Sequence, residues 1–163
     1  MKLYVVNKAI SLRDGSDVLN ENNEKVYAVK GKLISPTRKK KMYDLQKNKL
    51  FTIRNKFWHL FLKSALIYDA NGKKIMKVQR KFNIKENYSI KCKTDNYRID
   101  GKILGWNFKI LRNDEVIATI TKKFGYVTTI LGNDAFEVDV INPEDATLCV
   151  AMCIAIDNIQ DRK

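Results

Sequence analysis

Residues 142–156 read NPEDATLCVAMCIAI, and this stretch decides the fold. Asn142 and Pro143 predict a helix start, because Asn is a good N-cap and Pro suits the first helical position. Two acids follow, at the positive end of the helix dipole. From Ala146 to Ile156 no residue is charged, and the apolar side chains surround the whole helix instead of forming one stripe. A helix that is apolar on every side must be enclosed by protein or by lipid.

The predicted helix, about residues 143–158, is too short to cross a membrane. It would be about 24 Å long, whereas a bilayer span needs roughly 20 apolar residues. We therefore expect the preceding part of the chain to enclose it.

Four copies of a twelve-residue pattern precede this helix, each made of a polar turn, a short apolar strand, and Lys before a bulky apolar residue. The copies are Asn22–Leu33, Gln46–Phe57, Asn71–Phe82 and Asn113–Phe124. Counted back from the last residue, position minus four is Val29, Ile53, Val78 or Ile120, and position minus seven is Val26, Leu50, Ile75 or Ile117. Position minus one is Lys32, Lys56, Lys81 or Lys123. A repeated hairpin half predicts one sheet built from similar units.

Alternation of apolar and polar residues predicts eleven or so strands between about residues 3 and 141. They are Leu3–Ile10, Lys25–Leu33, Lys41–Leu45, Leu50–Lys56, Trp58–Tyr68, Lys74–Lys81, Tyr88–Lys93, Trp106–Leu111, Val116–Lys122, Tyr126–Leu131 and Ala135–Ile141. Asn71-Gly72 is the strongest hairpin turn signal, and Asn113-Asp114 and Gly132-Asn133 are weaker ones. We expect residues 1–163 to form one domain, a mainly β, closed antiparallel barrel of about 12 strands enclosing the hydrophobic C-terminal helix.

The charge of the chain is high and unevenly distributed. The net charge is +13. Residues 1–93 contain 23 Lys and Arg against 7 Asp and Glu, a net charge of +16, whereas residues 94–163 contain 8 against 11. This imbalance predicts attraction to polyanions, namely nucleic acid, an anionic membrane face or an acidic protein.

The remaining composition limits the classes of protein. The three cysteines show no C-x-x-C spacing, which argues against a disulfide framework or a zinc site. No stretch resembles a signal peptide or a transmembrane segment. We expect a cytoplasmic protein that reaches a bilayer only peripherally, through its own surface, and the oligomeric state stays open.

Basic residues at strand ends and in one loop are the candidate ligand-binding site. The lysines at position minus one could line one end of the barrel as a collar that holds phosphate oxygens, and the loop after Pro36 carries four cations in a row. The candidates are Lys32, Arg38, Lys39, Lys40, Lys41, Arg54, Lys56, Arg80, Lys81, Lys122 and Lys123. The alternative is that these residues are solvated strand ends that prevent edge pairing.

Catalysis and nucleic-acid stacking have less support. His59 is the only histidine and lies in an apolar run, Glu137 and Asp139 share a strand face but suit surface ion pairs, and no hydrolase, Walker or metalloprotease motif occurs. We predict no enzyme activity, no cofactor and no metal. Six aromatics could stack on single-stranded nucleic acid, although barrel core is the alternative that we favour. They are Phe57, Trp58, Phe61, Tyr88, Tyr97 and Trp106.

The second half of the chain resembles the LURP-one-related family of the tubby C-terminal-like superfamily, and the similarity extends over almost the whole chain. The residues that carry it are Asp100-Gly101-Lys102, Trp106–Ile110 (WNFKI), Val116–Phe124 (VIATITKKF), Ala135–Val140 (AFEVDV) and Asp145–Asp157 (DATLCVAMCIAID). The resemblance implies a barrel of about twelve strands around a C-terminal helix. Tubby proteins bind phosphoinositides and phospholipid scramblases share the fold, but no phosphoinositide-binding lysine is carried over to a position of this chain.

The leading hypothesis is a binding module whose basic face engages anionic phospholipid headgroups or another phosphorylated ligand. Non-specific nucleic-acid binding is the first alternative. A scaffold or regulatory protein-binding domain with no small ligand is the second.

Overall fold

The structure, a computed structural model, describes residues 1–7, 15–31, 35–57, 63–81, 88–102, 105–123 and 135–160. Across these ranges twelve antiparallel strands close into one barrel, in which each strand pairs with its neighbours in the chain and the first pairs with the last. The strands are β1 (Lys2–Asn7), β2 (Ser16–Leu19), β3 (Lys25–Gly31), β4 (Lys40–Tyr43), β5 (Lys49–Asn55), β6 (Ser64–Tyr68), β7 (Lys74–Arg80), β8 (Tyr88–Cys92), β9 (Tyr97–Lys102), β10 (Asn107–Arg112), β11 (Glu115–Lys123) and β12 (Ala135–Val140). The predicted fold class is confirmed.

The C-terminal helix α1 (Ala146–Gln160) follows a single 3₁₀ turn, Pro143–Asp145, and lies inside the barrel. Every side chain from Cys149 to Ile156 is at most 2% exposed. The helix packs against β5, β6, β7 and β12. The predicted enclosure is therefore confirmed. In the described part of the chain no helix is both long enough and apolar enough to cross a bilayer.

The start of α1 is held differently from the prediction. The side chain of Asn142 makes no capping hydrogen bond. Instead, the buried carboxylate of Asp145 accepts hydrogen bonds from Arg112, with Nη1 at 2.5 Å and Nη2 at 3.2 Å. Although burial lowers the pKa of the Arg112 guanidinium, the hydrogen bond and charge of Asp145 outweigh it and raise that pKa. This ion pair ties the beginning of the helix to the end of β10.

The four repeats form β3, β5, β7 and β11, and each has a β-bulge at the same place. In the β4–β5 pair, Met42 lies opposite Phe51 but Tyr43 lies opposite Lys49, so that Leu50 is the extra residue. The same register shift occurs in the β2–β3, β6–β7 and β10–β11 pairs. There the extra residues are Val26, Ile75 and Ile117, the other residues at position minus seven.

These bulges explain how two residues three positions apart both face the core. In a regular strand, positions minus seven and minus four would point to opposite faces, but an extra residue brings them to the same side. The minus-four residues are all buried. The minus-seven residues either pack against the core or belong to it. The repeat therefore builds the inner wall as well as the turns.

The two ends of the barrel differ. Because β3, β5, β7 and β11 are odd-numbered strands of an antiparallel barrel, they all run in one direction, and Lys56, Lys81 and Lys123 lie at one end. We call this the loop end, and the opposite end, which carries the tight turns at residues 44–48, 69–73 and 113–114, the turn end. The helix begins at the turn end, where Asp145 contacts Arg112, and ends at the loop end.

Two strands were not predicted. β2 has only four residues, and β9 contains Asp100 and Gly101, which are poor strand formers. Gly101 has φ +121°, and a Cβ there would lie 2.7 Å from the backbone oxygen of Asn107, so the close approach of β9 to β10 requires glycine. The predicted strand 126–131, the turn at 132–133 and the first half of the predicted strand 58–68 fall mostly outside the described residues.

The two described hairpin turns are confirmed. Gly72 has φ +83°, and Asn113 and Asp114 both have positive φ, 51° and 68°. Two successive left-handed residues are typical of the type I′ turn that joins twisted antiparallel strands.

The enclosed helix predicts a sharp difference among the three thiols. Burial raises the pKa of Cys149 to about 12 and that of Cys153 well above its usual range. Partial burial acts in the same direction on Cys92, but hydrogen bonds involving Thr94 and nearby backbone groups outweigh it and lower the pKa of Cys92. Because the thiolate is the reactive form, the folded protein should release one equivalent of thionitrobenzoate from Ellman's reagent at about pH 8, and three in denaturant.

The substitution Cys92→Ser is the control and should abolish the fast reaction. Rapid modification of all three thiols in the native protein would contradict the enclosure of the helix.

Candidate functional site

Basic residues of the outer wall meet in an open groove of about 490 Å³ over β4, β5 and β6. The lining residues are Thr37, Lys39, Lys41, Lys49, Thr52, Arg54, Tyr68 and Gly72. They comprise four cations, three hydroxyl groups and a glycine, and none of them is a carboxylate. We call this surface the basic groove.

Strand register explains why these residues come together. Lys41 of β4 lies opposite Thr52 of β5, which in turn lies opposite Tyr68 of β6. Their neighbours along the strands, Met42 after Lys41 and Ile53 after Thr52, are fully buried. Because side chains alternate between the two faces, the row from Lys41 to Tyr68 points outward.

Arg54 is fixed against Tyr68 at the edge of this row. Its Nη2 and Nε donate to the hydroxyl oxygen of Tyr68 at 2.7 and 3.2 Å, and the guanidinium carbon lies 5.2 Å from the ring centre. A guanidinium has five N–H donors, so these two bonds hold the group in place and leave further donors for an anion. A planar guanidinium is well suited to phosphate oxygens.

The loop that supplies Thr37 and Lys39 is attached to the end of the enclosed helix. Asn158 donates from Nδ2 to the carbonyl oxygen of Arg38 at 3.1 Å. Asn55 donates from Nδ2 to the carbonyl oxygen of Asn158 at 2.9 Å and from its backbone N–H to that of Thr37 at 2.6 Å. Arg38 itself has φ +45° and lies in a turn in which its backbone N–H donates to the carbonyl oxygen of Ser35. One rim of the groove is therefore positioned by α1.

Lys40 does not belong to the groove, which corrects the sequence-based candidate set. Its side chain is 6% exposed, and its Nζ lies 3.7 Å from a carboxylate oxygen of Asp157 on α1. Lys40 shares the inward face of β4 with Met42, so strand alternation places it inside the barrel and Lys41 outside. It is a structural residue.

The residues predicted to form the collar lie in different surroundings. Lys56 and Lys81 are exposed, and Arg80 is half-buried at the end of β7. Lys123 lies 3.4 Å from Glu137, and the Nζ of Lys122 lies 5.8 Å from the ring centre of Phe136. Lys32 lies outside the described residues. The lysines of β11 therefore do not join those of β5 and β7 at one site.

The carboxylate pair considered for catalysis takes part in ion pairs. Glu137 lies 4.0 Å from Lys2 as well as near Lys123, and Asp139 lies 3.8 Å from the N-terminal ammonium group. These contacts agree with surface ion pairing.

The stacking hypothesis is wrong for three of its six aromatics. Tyr88, Tyr97 and Trp106 are buried in the core, where Trp106 packs on Phe136 with ring centres 4.0 Å apart. Phe57 is 61% exposed. Trp58, Phe61 and His59 lie outside the described residues.

Sequence reasoning missed five of the eight residues that line the groove. Lys49 and Thr52 lie in the second repeat. Alternation from the buried Ile53 places Thr52 on the outer face, and the bulge at Leu50 places Lys49 there too. The sequence therefore contained a signal for the outward direction of both side chains. Tyr68, by contrast, reaches the groove only through the register of β5 with β6, which the sequence does not reveal.

Comparisons with known proteins agree with this architecture. A profile of the family described as LURP-one-related matches residues 1–157. The chain belongs to the LURP-one-related family. A crystal structure of a protein from Arabidopsis thaliana is similar, with a TM-score of 0.71 and 15% identity over 98% of this chain and 91% of that chain. At this identity the likeness shows the fold alone. No curated protein matches the sequence.

Substitution of two adjacent lysines of this LURP-one-related barrel should affect stability to very different extents. Lys40→Ala leaves Asp157 without its buried partner and should lower the free energy of unfolding by about 2 kcal/mol. Lys41→Ala removes only an exposed cation and should change it by less than about 0.5 kcal/mol. Urea unfolding of both variants measures the difference, and equal destabilisation would contradict the assigned side-chain directions.

Proposed function

We propose that this protein is a binding module whose basic groove holds the phosphate groups of an anionic phospholipid headgroup or of another phosphorylated ligand. The observation that supports this most strongly is the composition of the groove, in which four cations and three hydroxyls meet without a carboxylate. The tubby-like barrels that the chain resembles include phosphoinositide-binding proteins, which is in line with the proposal.

The groove offers complementary donors for phosphate. Arg54, held by Tyr68, supplies planar N–H donors, and the three lysines supply mobile positive charge. Thr37 and Thr52 add neutral hydroxyl donors at the same surface. At an anionic membrane surface each such cation is worth roughly 1 kcal/mol of attraction. Among the described residues of the lining there is no carboxylate, imidazole or thiol to act as a general base, so we propose binding and not catalysis.

Cross-strand pairing gives a second reason to expect an anion beside the groove. Lys30 of β3 lies directly opposite Lys41 of β4. Like charges in this position destabilise a sheet. The Nζ of Lys30 lies 5.3 Å from the ring centre of Tyr43, which offsets part of this repulsion. A bound phosphate would reduce it further.

Non-specific nucleic-acid binding is less well supported. Base stacking requires accessible aromatic faces, whereas Tyr88, Tyr97 and Trp106 are buried. Among the candidates in the described ranges, the net charge and the exposed ring of Phe57 remain as arguments for it.

Titration with pyrophosphate at low ionic strength tests the proposal. We expect saturable binding by calorimetry, and a loss of about tenfold in affinity for Arg54→Gln, because a hydrogen bond to a charged group is worth about 1.5–3 kcal/mol. The matched control is Lys102→Gln, which removes an exposed cation from β9 and should change affinity less than twofold.

Equal affinity of the wild type and Arg54→Gln, or no binding of pyrophosphate, would refute the groove as a phosphate site. A duplex DNA titration over salt serves as the comparison, and DNA binding with a steep log–log salt slope in the absence of pyrophosphate binding would favour the nucleic-acid alternative.

A further inference from the structure

A second group of lysines lies on the outer wall next to the basic groove. Lys77 on β7 is opposite Lys91 on β8, and Leu66 on β6 separates Lys77 from Arg54 on β5. Lys74 lies opposite Tyr68, one of the groove residues. The row Arg54, Leu66, Lys77, Lys91 therefore continues the groove across four strands.

The environment of Lys77 is unusually positive. Its side chain is partly buried, and Lys56, Lys91 and Lys74 are its charged neighbours. Burial first, and then these three cations, lower the pKa of Lys77. No carboxylate is among the groups that shift it. Directly opposed lysines destabilise a sheet, and the strands from β3 to β8 contain two such pairs, Lys30 with Lys41 and Lys77 with Lys91.

Exposed apolar side chains occur at both ends of β5, the strand that carries Arg54. Leu45 is 58% exposed in the turn before β5, and Phe57 is 61% exposed just after β5. They lie at the turn end and the loop end of the strand that carries Arg54. Cations flanked by apolar side chains are typical of surfaces that sit on a bilayer, where the cations meet headgroups and the apolar groups reach the acyl boundary.

We propose that Lys56, Lys74, Lys77 and Lys91 form a second phosphate-binding site and that, together with the basic groove, it lets the β4–β8 wall lie flat on an anionic bilayer. This inference rests on the proposed function of the groove and specifies its partner. Arg54 and Lys77 are two strands apart, roughly 10 Å. Because two hydrogen bonds hold Arg54 against Tyr68, a surface of many headgroups can supply one phosphate to Arg54 and another to Lys77.

A bilayer fits this wall better than nucleic acid does. Proteins that bind single strands stack the bases on aromatic side chains within a positively charged groove, whereas Tyr68, the aromatic residue in the lining of the basic groove, is engaged by Arg54. Exposed Leu45 and Phe57 gain nothing from a phosphodiester backbone, but they can enter the interface of a membrane.

Lys77→Glu provides a test in which binding and stability change in opposite directions. In co-sedimentation with phosphatidylcholine vesicles of graded phosphatidylserine content, we expect a loss of about fivefold or more in apparent affinity. The same substitution replaces a like-charge pair with an attractive one, so the Tm should rise by about 2 °C. Lys102→Glu changes the net charge equally on another wall and should alter vesicle affinity less than twofold.

A second variant separates a bilayer from a dissolved polyanion. Phe57→Ser should weaken vesicle binding severalfold and leave pyrophosphate binding by the groove unchanged.

Equal losses for Lys77→Glu and Lys102→Glu would show that only net charge acts and would overturn the second site. Pyrophosphate binding that depends on Arg54, combined with no vesicle binding by the wild type, would also overturn this inference while leaving the groove intact as a phosphate site. If the wild type binds neither pyrophosphate nor vesicles, the proposed function itself is refuted.

Discussion

The enclosure of one apolar helix is the constraint on which the rest of this structure depends. Residues 146–156 carry no charge, and every side chain from Cys149 to Ile156 is at most 2% exposed. A helix with its side chains is about 10 Å wide, whereas a barrel of eight strands is just filled by its own side chains. A wider barrel is therefore needed, and the twelve strands across the described ranges provide it. The helix also holds the groove, because Asn158 at its far end fixes the backbone of Arg38.

The repeat and the helix made the fold predictable, because both are local patterns with a direct physical meaning. The bulges were missed, although their signal was present: apolar residues three positions apart, such as Leu50 and Ile53, cannot share a face of a regular strand. β9 was missed because Gly101 and Asp100 are poor strand formers, and only the close approach to Asn107 explains the glycine. The helix start was predicted correctly but its cap was not, because the partner of Asp145 is Arg112, 33 residues earlier.

The site was predictable in kind but not in detail. Charge asymmetry indicated a basic surface, and Lys39, Lys41 and Arg54 were identified as candidates. The run Arg38–Lys41 was treated as one cluster, whereas alternation with Met42 sends Lys40 to the inside. The neighbours of Arg54 and Lys77 across the sheet depend on register, which no local pattern specifies. Long-range pairing thus turns scattered lysines into a groove, a second cluster and separate ion pairs.

Native-state hydrogen exchange of the backbone amides of residues 150–156 tests the enclosure most directly. If the helix lies inside a closed barrel, these amides can exchange only when the barrel opens, and their free energy of opening should equal the global free energy of unfolding measured in urea. Exchange of these amides close to the rate of an unstructured peptide, while the strand amides stay protected, would contradict the account.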